Sequence, residues 1–294
     1  MCLNKTCGVF WLLAAASGAV SLSAQQSPLT MPPSQLVREV VYNELHDHER
    51  HGYWRYTIER HSQQGTRVEE QLETAEGPIT ILDRNNGRQL NAAERQAEQE
   101  RLNHLLNSAS EQARHRQDFV ADEQRIGRIV ALLPDAFLYE YAGEENGCYR
   151  LRFRPNPDYP ARSIEARIFH AMSGELWVSA RYKRLARLDG HLEENVDFGY
   201  GILGRLYKGG WFRLQRTQVS ATDWKTEHLE VHMNGRAMLF KTIARETSEA
   251  RGGFAPVPPG ISLAQGVAML DQGAAERAQV LPDRMAMNRS SEHP

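Results

Sequence analysis

Hydrophobic and polar residues alternate with a period of two over most of the chain from Phe137 onward. In one segment Tyr149, Leu151 and Phe153 alternate with arginines. This pattern is typical of a strand with one face against a core and the other in water. It predicts three further strands with inward residues Ile164, Ala166 and Ile168; Leu176, Val178 and Ala180; and Leu229, Val231 and Met233. Ser173-Gly174 and Asn234-Gly235 are predicted to be hairpin turns, the second leading into a strand over residues 237–243.

The first part of the chain begins with a different period. After Ser34, a predicted N-cap, Leu36, Val37, Val40, Val41 and Leu45 form the apolar stripe of a helix. The pattern then changes to alternation, with Trp54, Tyr56 and Ile58 on one face of a strand. Residues 67–75 are predicted to be its hairpin partner, and residues 79–82 a shorter strand.

Two helices are predicted between these strands and the long alternating region. Asn91 followed by Glu94 is typical of a capping box at the start of the first. Its apolar residues are Leu102, Leu105 and Leu106. The second helix is predicted to end at Pro134 and to carry Phe119, Ile126, Ile129, Val130 and Leu133. This helical pair is expected to lie over the sheet.

Together these elements predict an α+β fold in which a curved antiparallel sheet, a half-barrel of about eight to ten strands, wraps over a few helices. The half-barrel domain is predicted at residues 34–250. A C-terminal extension follows at 251–272, with a short helix that begins at Ser262 and has Gln265 in a capping box. Residues 25–33 are predicted to be a linker and 273–294 a disordered tail.

The first 24 residues resemble a secretory signal peptide. Lys5 provides the positive charge, Val9 to Ala16 form a short apolar run, and small residues continue to Ala24. The run is shorter than the ~20 residues that span a bilayer. We therefore expect a periplasmic protein, with an uncleaved N-terminal anchor as the alternative. Only Cys148 would remain after cleavage, so no internal disulfide is expected.

Composition narrows the class of partner. The 294 residues are 41% hydrophobic and 24% charged, and the formal net charge is -2. These values are normal for a soluble globular protein. They include no basic excess of the kind that nucleic-acid binding needs, so no nucleic-acid partner is predicted.

Gly199, Gly201 and Gly204 match the spacing G-x-G-x-x-G. A dinucleotide site would need a strand before these glycines and a helix after them. Here strands are predicted on both sides, so the glycines are interpreted as positions where a curved sheet bends. No nucleotide cofactor is predicted.

Two histidine-rich segments are candidate metal sites. His46, His48 and His51 lie at the predicted end of a helix, where polar residues are expected in any case. His228 and His232 are four residues apart on a strand, about 13 Å, which is too far to share one ion. No metal is predicted. No G-x-S-x-G or cysteine–histidine motif is present either, so we predict a non-enzymatic protein, with a hydrolase as a remaining alternative.

The apolar sheet face is the remaining candidate site. Two interpretations are open: an ordinary core filled by the covering helices, or a cavity for an acyl chain. The candidate ligand-binding residues are Trp54, Tyr56, Ile58, Tyr149, Leu151, Phe153, Ile168, Leu176 and Val178.

This organisation, together with the run from Ala166 to Leu192, resembles the lipoprotein-localisation fold of the LolA and LolB type. The span from Gly174 to Ile243 is also similar to an uncharacterised family of exported bacterial proteins. The first resemblance implies an open half-barrel that holds the acyl chains of a lipid, a lipidated protein or another amphiphile, with peripheral membrane contact. An envelope sensor or scaffold of the same fold is the alternative; it would bind a partner protein and have its cavity packed shut.

Overall fold

The computed structural model describes residues 31–46, 52–198, 204–237 and 241–273. The first elements are α1 Pro33–Leu45, β1 Tyr53–Ser62, β2 Gly65–Leu72, β3 Ile79–Asn85, β4 Arg88–Gln89, α2 Ala92–Asn107 and α3 Ala109–Ala136. They are followed by β5 Phe137–Glu145, β6 Cys148–Pro155, α4 Ile164–His170, β7 Met172–Ser179, β8 Leu185–Leu192, β9 Val196–Phe198 and β10 Gly204–Leu206. The last are β11 Trp211–Gln218, β12 Trp224–Ala237, β13 Lys241–Val257 and helix α5 at residues 263–273.

In the part of the chain that the structure describes, the strands form one antiparallel sheet of 13 strands, more than the eight to ten predicted from the sequence. Its order is β4-β3-β2-β1-β13-β12-β11-β8-β7-β6-β5, and the short strands β9 and β10 join it through β12. Within the described residues the end strands β4 and β5 are not paired with each other, so the sheet is open. The predicted α+β class and half-barrel sheet are confirmed. β13 crosses residue 250 and pairs with β1 as far as Val257.

Helix α1 begins two residues earlier than predicted. Its N-cap is Pro32, Pro33 occupies the first turn, and Ser34 makes no side-chain cap. Proline suits this position because its fixed φ is helical and the first N–H groups of a helix have no intrahelical partner. The predicted apolar stripe is confirmed, since its first four members are buried.

Helices α2 and α3 follow the capping rules closely. Asn91 Oδ1 accepts from the Glu94 N–H at 2.9 Å, and Glu94 Oε2 accepts from the Asn91 N–H at 2.8 Å. The predicted capping box is therefore confirmed. Pro134 does not end α3 as predicted; it lies inside the last turn, and the helix continues to Ala136.

One predicted strand is a helix. Residues 164–170 form α4, and the Ser163 hydroxyl accepts from the Ala166 N–H at 3.1 Å as its N-cap. The buried residues are Ala166 and Phe169, which are three apart, whereas Ile164 is exposed. The alternation of Ile164, Ala166 and Ile168 predicted a strand, but the spacing of three between Ala166 and Phe169 fits a helix equally well.

The two predicted hairpin turns lie inside strands. Ser173 and Gly174 belong to β7, and Asn234-Gly235 belongs to β12, which runs on to Ala237. A Cβ atom at Gly235 would be 2.6 Å from the carbonyl oxygen of Arg205 on β10. Glycine is therefore present at residue 235 for a close backbone approach rather than for a turn.

Helix α5 belongs to the core. Ile261, Leu263, Val267 and Leu270 are buried with Leu72, Ile79 and Ile81 of the sheet and Leu102 of α2. A second cluster contains Trp54, Tyr56 and Ile58, packed against Val219 and Phe254. Helices α2 and α5 therefore both pack against the sheet where β2 and β3 lie.

Candidate functional site: a cavity under helices α1 and α3

A cavity of about 1190 Å³ is bounded by α1, α3 and one face of the sheet. Its helical wall includes Val37, Val40 and Val41 of α1 and Phe119, Val120, Ile126, Ile129, Val130 and Leu133 of α3. Its sheet wall includes Phe153, Leu176, Leu188, Phe212 and Leu214. Most of the lining is therefore apolar.

The apolar side of α3 is incompletely covered. Val120 is 49% exposed and Ile126 is 56% exposed, although both line the cavity. A core packed to normal density would bury these side chains. The apolar stripe predicted for this helix is therefore present, but part of it borders open space instead of the sheet.

Aromatic residues form one end of the cavity. The ring of Phe137 lies 4.8 Å from that of Phe153 and 5.1 Å from that of Phe169, measured between centroids. Nearby, the Tyr139 hydroxyl donates to the carbonyl oxygen of Leu133 at 2.7 Å. Burial raises the pKa of Tyr139 well above its usual range, so this hydroxyl stays protonated.

A first polar cluster surrounds Glu44 at the end of α1. Its carboxylate accepts from Arg184 Nε and Nη2 and from the Leu185 N–H, each at 3.1 Å, and also from Arg216 Nη1. Arg216 Nη2 donates in addition to the carbonyl oxygen of Trp224 at 2.7 Å. Two guanidinium groups therefore face one carboxylate.

A second polar cluster surrounds Glu73, just after β2. Lys225 Nζ donates to its two carboxylate oxygens at 2.8 and 2.7 Å, and the Trp54 N–H donates to one of them at 3.1 Å. The Tyr56 hydroxyl donates to Glu73 at 3.4 Å and accepts from Gln71 Nε2 at 2.6 Å. Burial, and then the charge of Glu73, raise the pKa of Tyr56 well above its usual range.

The structure brings only some of the predicted site residues to the cavity. Tyr56, Phe153 and Leu176 line it. The other predicted residues do not line the cavity. Trp54 and Ile58 pack in the cluster with Phe254, and Leu151 of β6 and Val178 of β7 are fully buried. Tyr149 is half-buried beneath Lys183, and Ile168 is half-buried on α4. Ligand binding by this set of residues stays a prediction.

The charged residues of the cavity were not predicted from the sequence. Glu44, Glu73, Arg216 and Lys225 lie on separate elements and are up to 172 residues apart in a contacting pair. Each is an ordinary charged residue in its local pattern. The long amphipathic pattern of α3 was a signal for the apolar wall of the cavity, but it carried no information about these charged residues.

The glycine motif and the first histidine-rich segment extend beyond the residues that the structure describes. Gly199 and Gly201 lie outside the described residues, as do His48 and His51. Gly204 begins β10 and pairs antiparallel with Phe198 of β9, an arrangement that differs from a phosphate-binding strand–helix turn. Among the described residues, no group of three metal-ligating side chains is assembled, and no helix is long and apolar enough to span a bilayer.

The fold and cavity define the class: an α+β protein with a large open antiparallel sheet and an apolar cavity between that sheet and helices α1 and α3. No protein-family model matches the chain, and no curated protein matches it. Among solved structures, the chain is similar to a DUF1329 family protein from Desulfovibrio piger. The two are 13% identical, the match covers 79% of this chain and 96% of that chain, and the TM-score is 0.30.

Proposed function

We propose that this protein binds a lipid, a lipidated protein or another amphiphile in the cavity under α1 and α3, as a carrier of the LolA-like type. The observation that carries the proposal is the cavity itself, about 1190 Å³ with a mostly apolar lining. Pockets for drug-sized ligands are ~300–1,000 Å³, so a longer acyl chain is accommodated. Each buried CH₂ group contributes about 0.8 kcal/mol to binding.

The protein is proposed to act in the periplasm, because residues 1–24 have the pattern of a signal peptide. A non-catalytic role is proposed because the sequence contains no G-x-S-x-G motif and no cysteine–histidine motif. The half-exposed Val120 and Ile126 support ligand entry beside α3. An envelope sensor or scaffold of the same fold would have its cavity packed shut, and the volume of the cavity favours the carrier.

Native mass spectrometry of the chain from Gln25, purified from the periplasm without detergent, tests the proposal. We expect a mass excess that solvent extraction identifies as lipid. A protein that is bare after purification, and that binds no added fatty acid, lysophospholipid or lipopeptide, would show that the proposal is wrong. A stable envelope-protein complex without lipid would support the scaffold instead.

Charged substitutions on α3 locate the site. Val120→Glu together with Ile126→Glu places two carboxylates on the cavity wall at positions that are already half exposed, so folding should be retained. We expect amphiphile affinity to fall by about tenfold or more, because a charge in an apolar site must be desolvated. Ala121→Glu, on an exposed part of α3 outside the lining, is the matched control and should bind as the wild type does.

A further inference from the structure

The charged cluster around Glu44 and the aromatic residues around Phe137 lie at different positions along α1. Near the start of α1, Arg38 pairs with Asp135, which lies two residues before Phe137 of the aromatic end. Near its C-terminal end, Glu44 contacts Arg184 and Arg216. Residues 38 and 44 are about 9 Å apart along a helix. An extended amphiphile would therefore meet aromatic rings at one end of the cavity and charged groups at the other.

The carboxylates at the polar end have their acceptor sites occupied. Among the described residues, Glu44 accepts four hydrogen bonds, from Arg184 twice, from the Leu185 N–H and from Arg216. Glu73 also accepts four, from Lys225 twice, from the Trp54 N–H and from the Tyr56 hydroxyl. An ionised carboxylate offers about four lone-pair sites. An ammonium or hydroxyl headgroup would therefore find these acceptors already engaged.

The cations at the same end retain unused donors. Within the described residues, Arg216 engages two of its N–H groups, on Glu44 and on the Trp224 carbonyl, whereas a guanidinium carries about five. Lys225 directs two hydrogen bonds to Glu73, whereas an ammonium carries about three N–H groups. The two side chains line the cavity and are only 12% and 16% exposed, so a ligand in the cavity can accept from the remaining donors.

The two polar clusters, around Glu44 and around Glu73, together carry a net positive charge. Glu44 faces two guanidinium groups, and Glu73 faces one ammonium, which leaves one positive charge in excess. Arg251, which also lines the cavity, pairs with Glu249. Arg60 contacts the same carboxylate, so two guanidinium groups face one negative charge there as well. Glu123, the third carboxylate of the lining, is on the exposed part of α3, where water solvates it.

We infer that the amphiphile carries an anionic headgroup, a carboxylate or a phosphate, and that this headgroup binds Arg216 and Lys225 while the acyl chain extends toward the aromatic end. The inference rests on the proposed function and specifies the ligand class. Bare guanidinium and ammonium donors form their strongest hydrogen bonds with anionic oxygens.

Ligands of equal chain length and different headgroup test this inference. Palmitate, hexadecanol and hexadecylamine would each displace a fluorescent fatty acid from the purified mature chain. We expect palmitate to bind at least about tenfold more tightly than the other two. Palmitoyl lysophosphatidic acid should bind more tightly than palmitoyl lysophosphatidylcholine by a similar factor. Acetate and inorganic phosphate should not displace the probe, because burial of the acyl chain of the ligand supplies most of the binding free energy.

Arg216→Gln is the decisive variant, since Arg184 still pairs with Glu44 in its absence. We expect it to lower palmitate affinity by about tenfold and to leave hexadecanol affinity unchanged. Arg213→Gln, on the same strand but paired with Asp189 and Glu230 outside the lining, is the control and should change neither. If Arg216→Gln does not fold, a double variant that combines Glu73→Gln with Lys225→Gln makes this ion pair neutral. It should lose the preference for palmitate over hexadecanol in the same way.

The outcomes separate the two proposals. Equal affinity for palmitate, hexadecanol and hexadecylamine, or an equal loss for all three in Arg216→Gln, would overturn the headgroup inference and leave the carrier intact. Displacement of the probe by acetate or inorganic phosphate alone would also overturn it, because a free anion would then be the ligand. Binding of none of the amphiphiles would overturn both.

Discussion

Glu44 and Arg184 form a two-point ion pair in which Nε and Nη2 of the guanidinium each lie 3.1 Å from a carboxylate oxygen. The residues are 140 positions apart, and their side chains are 15% and 10% exposed. The pair joins the end of α1 to the start of β8. It therefore holds the helical wall of the cavity against the sheet.

Glu44→Ala should destabilise the protein strongly, because it leaves two guanidinium groups without their carboxylate. Breaking a buried pair from one side costs about 3–5 kcal/mol. Arg38→Ala, on the same helix, removes the exposed pair with Asp135 and should cost at most about 1 kcal/mol. Urea titrations measure the free energy of unfolding of both variants. An equal loss in the two variants would contradict the conclusion that Glu44 is the main contact between α1 and the sheet.

Two residues on opposite walls of the cavity should respond differently to truncation. Leu176 is 6% exposed on β7, so Leu176→Ala should lower the free energy of unfolding by about 2–5 kcal/mol. Ile126 on α3 is largely exposed, so Ile126→Ala should cost less than about 1 kcal/mol. A comparable loss in the two variants would mean that α3 packs closed on the sheet in solution.

Gly174 should tolerate no side chain. A Cβ atom there would be 2.0 Å from the carbonyl oxygen of Asp189 and 2.7 Å from the ring of Phe153. Gly174→Ala must therefore displace backbone, and we expect a loss of about 1–3 kcal/mol and a lower Tm. Gly252→Ala is the control, because a Cβ atom at residue 252 meets nothing within 4 Å. Equal melting temperatures for the two variants would show that β7 and β8 are farther apart than described.

Asp223 should make stability depend on pH in the acid range. Burial alone would raise its pKa, but hydrogen bonds from the Ser220 hydroxyl and the Gly52 N–H outweigh burial and hold the pKa below its usual range. A depressed pKa stabilises the folded state above the unfolded pKa of about 3.9, and this stabilisation is lost as pH falls through the lower folded value.

Asp223→Asn should therefore lower the free energy of unfolding by about 2 kcal/mol at pH 7 and by progressively less below about pH 4. Asp122→Asn, an exposed position on α3, should show no such trend. Urea titrations at several pH values compare the two variants with the wild type. A deficit for Asp223→Asn that does not change with pH would rule out the charged form as its cause.

Local patterns predicted the parts of the fold that local physics controls. Alternation placed Trp54, Tyr56 and Ile58 on one buried strand face, and the Asn91–Glu94 spacing placed a helix start. These signals work because strand period and capping depend on residues within one turn or one pleat. Their agreement across the chain predicted an antiparallel α+β fold.

Segments in which two local signals competed were predicted less well. Residues 164–170 fit a strand period and a helical period, and the Ser163 cap and the burial of Phe169 decide for the helix. Asn234-Gly235 has good turn chemistry, yet the approach of Arg205 on β10 keeps it inside a long strand.

The sequence by itself thus determined the class of fold, the apolar strand faces and the amphipathic side of α3. Only the tertiary structure decided that this side of α3 borders a cavity, and that Glu44, Glu73, Arg216 and Lys225 gather at one end of it. The physical reason is distance along the chain. Apolar periodicity is encoded within a few neighbouring residues, whereas a cavity and its ion pairs arise from contacts between elements more than a hundred residues apart.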